Sequence, residues 1–374
     1  EGMTTTAPAG SAMIDWSIAR ATGRRLMPAP PRRTAIEIAQ VVGQLRSFAL
    51  DARAYVRDFT GMTPEGPEPP VLVVDRQRWL DVNIDSFGGL IAPLLTRMAE
   101  ERKGPTGAVM NSVGSRVTGA ELGAMLAFVG SKVLGQYEPF LPAANAKEGE
   151  RGSLLLVAPN IVYVERELQV DPGDFRLWVC LHEETHRTQF TAVPWLADHV
   201  RSEIGEFLAA TDIDPAAMLR QMGRALQGLG DVARGQGSVL DLVATPGQRV
   251  ALDRITAVMS LLEGHADYVM DGVGPEAIPS VSDIRAAFQH RRESATGLEA
   301  MMRRLLGLEA KLKQYADGVK FVRAVVEGDG TTPGVGMAGF NKVWDSPASL
   351  PSLDELHDPA AWVARVHPSP PAGA

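Results

Sequence analysis

The chain has 374 residues, 45% of them apolar, with a net charge of −8 at neutral pH and a single cysteine. Length and apolar content fit a globular protein with a sizeable core, built as one large domain or two closely joined ones. The acidic balance argues against a nucleic-acid partner, the lone Cys180 excludes an internal disulfide framework and fits a reducing compartment, and the longest low-charge stretch, Leu122 to Val133, is too short to span a bilayer.

Glu1-Gly2 ahead of Met3 reads as an expression scar, and Thr4 to Arg20 carries no apolar core of a secretory signal, so a cytoplasmic location is expected. Residues 1–33 are expected to be mostly irregular, closed by Pro28-Ala29-Pro30-Pro31. A helical pattern then runs from Thr34 to Phe59. It is followed by a loop at Pro64 to Pro70, an apolar run at Val71 to Val74, and helices from Gln77 to Arg102 and from Gly119 to Gln136. These helices fit a subdomain over 34–150 inside a single domain over 34–366. Ser153–Val157 and Ile161–Val164 read as two short strands around the turn-forming Ala158-Pro159-Asn160. One of them could be an edge strand that pairs with extended substrate, or the two could be a plain hairpin.

Asp171-Pro172-Gly173-Asp174 has the signature of a helix start, with Asp171 at the N-cap, Pro172 in the first turn and Asp174 behind it. The next residues, Phe175 to Leu181, are apolar nearly all round and predict a buried helix, with Cys180 as inert filler. That helix closes on His182-Glu183-Glu184-Thr185-His186, an HExxH motif. Positions i and i+4 share a helix face about 6 Å apart, so two neutral imidazoles can meet one tetrahedral zinc ion. Glu183 is turned about 100° from His182, beside the metal rather than on it, where it can accept a proton from water that zinc has acidified to a pKa of about 7.

Further on, helices are expected over Pro194–Ala210, Pro215–Leu229 and Pro246–Asp271, with a glycine-rich break at Gly228–Gly237 and a long amphipathic stretch at Gly297–Glu327. Gly328–Gly339 reads as a loop placed to act as a lid, and 367–374 as a disordered tail. A catalytic zinc needs a third protein ligand, and the helix over Pro246–Asp271 offers two, Glu263 and His265. Two residues apart, they point about 200° apart and cannot share one metal. Glu263 is favoured, since Asp267 stands at i+4 on its face and could hold the free ring N–H of a liganding histidine. Gly264, costly in a helix by about 1 kcal/mol, suggests close approach of another backbone. Tyr163, Tyr268 and Tyr315 are candidate oxyanion donors that sequence does not separate.

HEETH followed by Glu263-Gly264-His265-Ala266-Asp267 resembles the gluzincin branch of the zincin metallopeptidases, in which HExxH and a downstream ExxxD share the metal. The interval from His186 to Glu263 is long for that branch and must hold extra helices. More of the chain is similar to a narrower family of bacterial zinc-dependent hydrolases, loosely associated with biosynthesis of a deazaflavin coenzyme. Here the segments are Val71–Arg76 with Trp79 and Asn83, the HEETH helix, Glu263–Ala266, and Phe340-Asn341-Lys342-Val343-Trp344. The resemblance implies a mainly α fold with a small β element, the HExxH helix packed against the ExxxD helix. It also implies one zinc held by His182, His186 and Glu263, with Glu183 as base. It implies no substrate, and the coenzyme link is not carried over.

The expected function is hydrolysis of a peptide or small-amide bond, with no nucleic-acid or membrane partner and an open question of oligomeric state. The alternative is a structural zinc protein with a binding role. A structural site has four protein ligands and no need of Glu183.

Overall fold

Helices dominate, and a three-stranded sheet is the main β element among the described residues. The computed structural model describes residues 14–101, 107–141, 152–210, 246–293 and 308–368. The chain divides into two units, Glu1–Ser47 with Pro69–Glu167, and Phe48–Glu68 with Leu168–Ala374.

The first unit contains α1 (Trp16–Leu26), the first half of α2 (Ala35–Thr60), β1 (Val71–Val74), α3 (Arg76–Glu101), α4 (Gly107–Gly130), β2 (Gly135–Glu138), β3 (Ser153–Val157) and α5 (Ala158–Leu168). α1 occupies part of the segment expected to be irregular. Its start is set by Asp15, whose carboxylate accepts from the backbone N–H groups of Ser17 and Ile18 at 3.1 and 3.0 Å. α2 opens on a capping box in which Glu37 accepts from Thr34 N at 2.7 Å and Glu37 N donates to Thr34 Oγ1 at 3.2 Å.

The sheet order is β1-β3-β2, with β1 parallel and β2 antiparallel to β3. β3 is buried at every position and paired on both sides, so it has no free edge to offer a substrate. The second expected strand, Ile161–Val164, is helical and belongs to α5. Pro159 suits the first turn of a helix, and Asn160 anchors that turn by donating to the carbonyls of Gly130 and Val133 at 2.8 and 2.6 Å. The buried Arg76 guanidinium donates to Asn160 Oδ1 at 2.6 Å and to the carbonyls of Pro28 and Ala29, which ties the end of β1 to the same corner. α4 stops at Gly130, short of the expected Gln136, because 135–138 join the sheet as β2. Trp79, Leu80, Ile84, Leu126, Leu155 and Val157 form the apolar core of this unit.

The second unit is helical. It contains the second half of α2, α6 (Pro172–Ala192), α7 (Leu196–Ala209), α8 (Pro246–Ala277), α9 (Val281–Glu293), α10 (Leu308–Glu327) and α11 (Gly336–Phe340). Short 3₁₀ turns at Asn341–Trp344 and Pro347–Ser349 lead into α12 (Leu353–His357) and α13 (Pro359–Val366). α6 begins as its sequence dictates: Asp171 accepts from Asp174 N at 2.9 Å, with Pro172 in the first turn. The Asp174 carboxylate in turn accepts from Ser280 N and Oγ at 3.0 and 2.6 Å, which pins the start of α9 to the start of α6.

α8 is the central helix of this unit, packed against α6, α7 and α10. Its crossing with α10 is the closest, and glycine permits it. A Cβ on Gly318 would lie 1.9 Å from Ser260 O, and one on Gly264 would lie 2.2 Å from Gly318 C. The backbone approach expected at Gly264 is this crossing. The segment Gly328–Gly339 is a folded-back turn and not a free-standing loop. Asp329 Oδ1 accepts from Thr331 N and Thr332 N, Val335 N donates to Val325 O at 2.9 Å, and Thr332 is buried. The helix expected over 215–229, the glycine-rich break at 228–237, the first part of the 297–327 stretch and residues 369–374 lie outside the described residues. Among the described residues no helix is long and apolar enough to cross a membrane.

Gly318→Ala should destabilise the chain by at least the about 1–3 kcal/mol typical of overpacking, because the colliding atoms are backbone. Gly205→Ala, on the exposed side of α7 with open space around it, should be neutral or stabilise by up to about 1 kcal/mol. Denaturant unfolding of the two variants measures the contrast.

Candidate metal centre

The i, i+4 spacing on α6 brings His182 Nε2 and His186 Nε2 to 3.1 Å from each other, and α8 supplies Glu263 opposite them. Glu263 Oε2 lies 3.6 Å from His182 Nε2, and Oε1 lies 3.6 Å from His186 Nε2. The donor atoms of these three residues all fall within 4.8 Å of one another, and among the described residues no further His, Cys, Asp or Glu joins the group. Their side chains are 25%, 13% and 26% exposed, so solvent can reach the centre.

The tautomer of His186 follows from its neighbour Gln189. The Gln189 amide nitrogen donates to Leu262 O at 2.9 Å, and a carbonyl can only accept. Gln189 Oε1 therefore faces His186 Nδ1, 3.0 Å away, and that nitrogen must carry the proton. In the neutral ring this tautomer presents Nε2 as the lone-pair nitrogen, and Nε2 faces His182 Nε2 and Glu263. Two imidazole nitrogens and a carboxylate converging on one point form a donor set that a divalent cation satisfies, and this set suits zinc. On the far side of the His182 ring, Nδ1 lies 3.2 Å from Met270 Sδ.

His265 sits behind the centre, not in it. It is buried, its Nδ1 lies 3.0 Å from the second hydrogen-bearing position of Gln189 Nε2, and its ring stacks on Phe340 with Trp344 edge-on. Burial, and then proximity of His186, push its pKa down to about 3, so it is neutral at physiological pH. The Phe340–Trp344 segment is thus the apolar wall behind His265. Asn341 fixes that wall by donating to Thr60 O at 2.8 Å.

Glu183 is buried beside the donors. Burial, and then the Glu263 carboxylate, hold its carboxyl well above the usual range. The second glutamate of the motif has a different fate. Glu184 is fully buried and accepts from Arg187 Nε at 3.0 and 2.9 Å and from Arg187 Nη2 as well. Burial raises the Glu184 carboxyl, and the Arg187 guanidinium opposes the shift. Arg53 and Glu68 extend this into a four-residue ion network. Cys180 is buried, and burial pushes its thiol above the ordinary thiol range.

Of the remaining candidates, Asp267 lies one turn beyond Glu263 on the wall of a cavity described below. Tyr268 donates to Glu327 Oε1 at 3.0 Å and packs on Phe59, so its hydroxyl is engaged. Tyr163 belongs to the first unit and is half-exposed, and the Tyr315 side chain lies outside the described residues. Sequence reasoning missed Gln189. The signal was available: a polar residue at i+3 from His186, on a helix otherwise committed to the interior.

A sequence profile for zincin-like metallopeptidases matches residues 14–363, and the chain belongs to that family. The crystal structure of a candidate hydrolase with a novel fold from Chloroflexus aurantiacus is similar at 31% identity and a TM-score of 0.64, covering 96% of this chain and 100% of that one. No protein of curated function matches the chain significantly. Family membership and this neighbour support a zinc-dependent hydrolase.

Gln189→Leu keeps the bulk of the side chain but removes the acceptor for His186 Nδ1–H. Zinc affinity, read by competition with a chromophoric chelator, should fall by about 10- to 100-fold. Unchanged affinity would show that His186 does not depend on Gln189.

Proposed function

We propose that the chain is a zinc metallopeptidase or closely related amide hydrolase, with His182, His186 and Glu263 as the ligands and Glu183 as general base. The observation that carries this reading is a three-member donor set that solvent can reach, with a buried carboxylate beside it. A structural site would be closed by a fourth side chain, and among the described residues none stands there.

Zinc held by these residues would supply Lewis acidity to the scissile carbonyl and to water. The chain's own part is proton handling. Glu183 Oε takes the proton that water loses as its oxygen attacks the carbonyl carbon, and then delivers it to the amine nitrogen as the C–N bond breaks. Gln189 keeps His186 in the tautomer that presents Nε2, and Asp267 is proposed to orient His182 from the neighbouring turn of α8. Asp267→Asn should lower zinc affinity or turnover by about 10- to 100-fold.

Glu183→Gln should bind zinc with wild-type stoichiometry and lose most peptide hydrolysis, because an amide cannot accept the proton. Metal analysis of the purified variant, together with a peptide-library digest, reads both properties. A variant that retains turnover would remove Glu183 from the role of base.

A further inference from the structure

A cavity of about 270 Å³ opens in the second unit, lined by Trp178, Asp267, Asp271, Arg285, Phe288 and Arg323 among others. Helical geometry ties it to the candidate metal centre from two sides. On α6, Trp178 stands at i−4 from His182; on α8, Asp267 and Asp271 stand at i+4 and i+8 from Glu263. The cavity therefore lies one to two turns along from the metal ligands, on the face that carries them. Its aromatic wall is Trp178, packed edge-on against Phe288 at 5.2 Å between centroids. The indole N–H of Trp178 is buried with no hydrogen-bond partner among the described residues.

The charged groups of the cavity are arranged unequally. Asp271 gives one carboxylate oxygen to Arg285 and the other to Arg323 Nη2, the latter at 2.6 Å. One carboxylate is thus shared by two guanidinium groups, each of which carries five N–H donors, so N–H donors remain to spare across this triad, although Asp267 on the same wall balances the second positive charge. Both arginine side chains are solvent-accessible, 38% and 50% exposed. Asp271 holds both guanidinium groups, each a planar fork of donors of the kind that suits a carboxylate.

We propose that this cavity anchors a substrate carboxylate through Arg285 and Arg323, with Trp178 and Phe288 receiving the apolar side chain next to it, so that the substrates are short peptides with a free C-terminus. The inference rests on the zinc-hydrolase reading for its chemistry and on the cavity alone for its anchor. Asp271 is eight residues from Glu263, about 12 Å of helix, which corresponds to roughly three to four residues of extended peptide between the cleaved bond and the terminal carboxylate.

Calorimetric titration of the full chain with acetyl-Ala-Ala-Phe and with its C-terminal amide tests the anchor. It is done once in metal-free buffer and once with added zinc, using Glu183→Gln in the zinc arm to prevent turnover. The acid should bind about tenfold or more tighter than the amide in both arms, and Arg285→Gln and Arg323→Gln should each reduce that ratio, while Arg323→Lys keeps part of it. The metal-free arm removes direct carboxylate–zinc contact as a cause of the preference. Thermal melts show whether each variant is folded, and the wild-type acid-to-amide ratio needs no variant at all. Equal binding of acid and amide, binding of neither peptide in either arm, or a preference untouched in both glutamine variants would overturn the proposal. A preserved acid preference with no zinc uptake would instead sink the zinc-hydrolase reading and leave the anchor standing.

Discussion

The amide of Gln189 is the interaction on which the centre depends. Its oxygen accepts from a histidine on its own helix, and its nitrogen donates to a carbonyl and an imidazole on α8. One side chain thereby sets the tautomer of His186 and the register of α6 against α8, which carries Glu263. Because the amide is fully buried, rotating it would leave several polar groups unsatisfied, at a cost of about 1–3 kcal/mol each. The second constraint is the glycine crossing of α8 with α10, which fixes the helix axis at the turn where Glu263 sits.

The ion network on α6 explains how the helix carries so many polar groups inside a core. Glu184 and Arg187 are both buried, and neither would be tolerated alone, since breaking a buried pair typically costs about 3–5 kcal/mol. Paired with each other and with Arg53 and Glu68, they hold α6 to the second half of α2 and the segment after it. The HEETH motif therefore has two kinds of residue. His182 and His186 belong to the donor cluster and Glu183 is buried within reach of the Glu263 charge, whereas Glu184 serves the packing of the helix that presents them.

The parts legible in the sequence were those encoded locally. Asp171 and Pro172 announced the start of α6, the HExxH spacing announced a shared face, and Gly264 announced a close helix crossing. The misreadings arose where tertiary contacts decide. Ile161–Val164 has strand composition, yet Asn160 is held by carbonyls of the α4 end and by Arg76, and the chain turns into helix there. α1 was hidden in a segment whose proline cluster, Pro28 to Pro31, lies after it, while its cap, Asp15, is a single residue. Gln189 showed only as a polar residue at i+3 from His186, and the rest of its meaning depends on Leu262 and His265, remote in sequence. Family resemblance marked Val71–Arg76 and Phe340–Trp344, and these are a structural corner and the wall behind His265, not reacting groups.

X-ray absorption spectroscopy at the zinc edge, on protein loaded with one equivalent of zinc, tests the central claim most directly. The account predicts two imidazole nitrogens and one carboxylate from the protein, with a non-protein oxygen completing the shell, and loss of a nitrogen ligand in His186→Ala. A shell of four protein ligands, or a spectrum unchanged in Glu263→Ala, would contradict it.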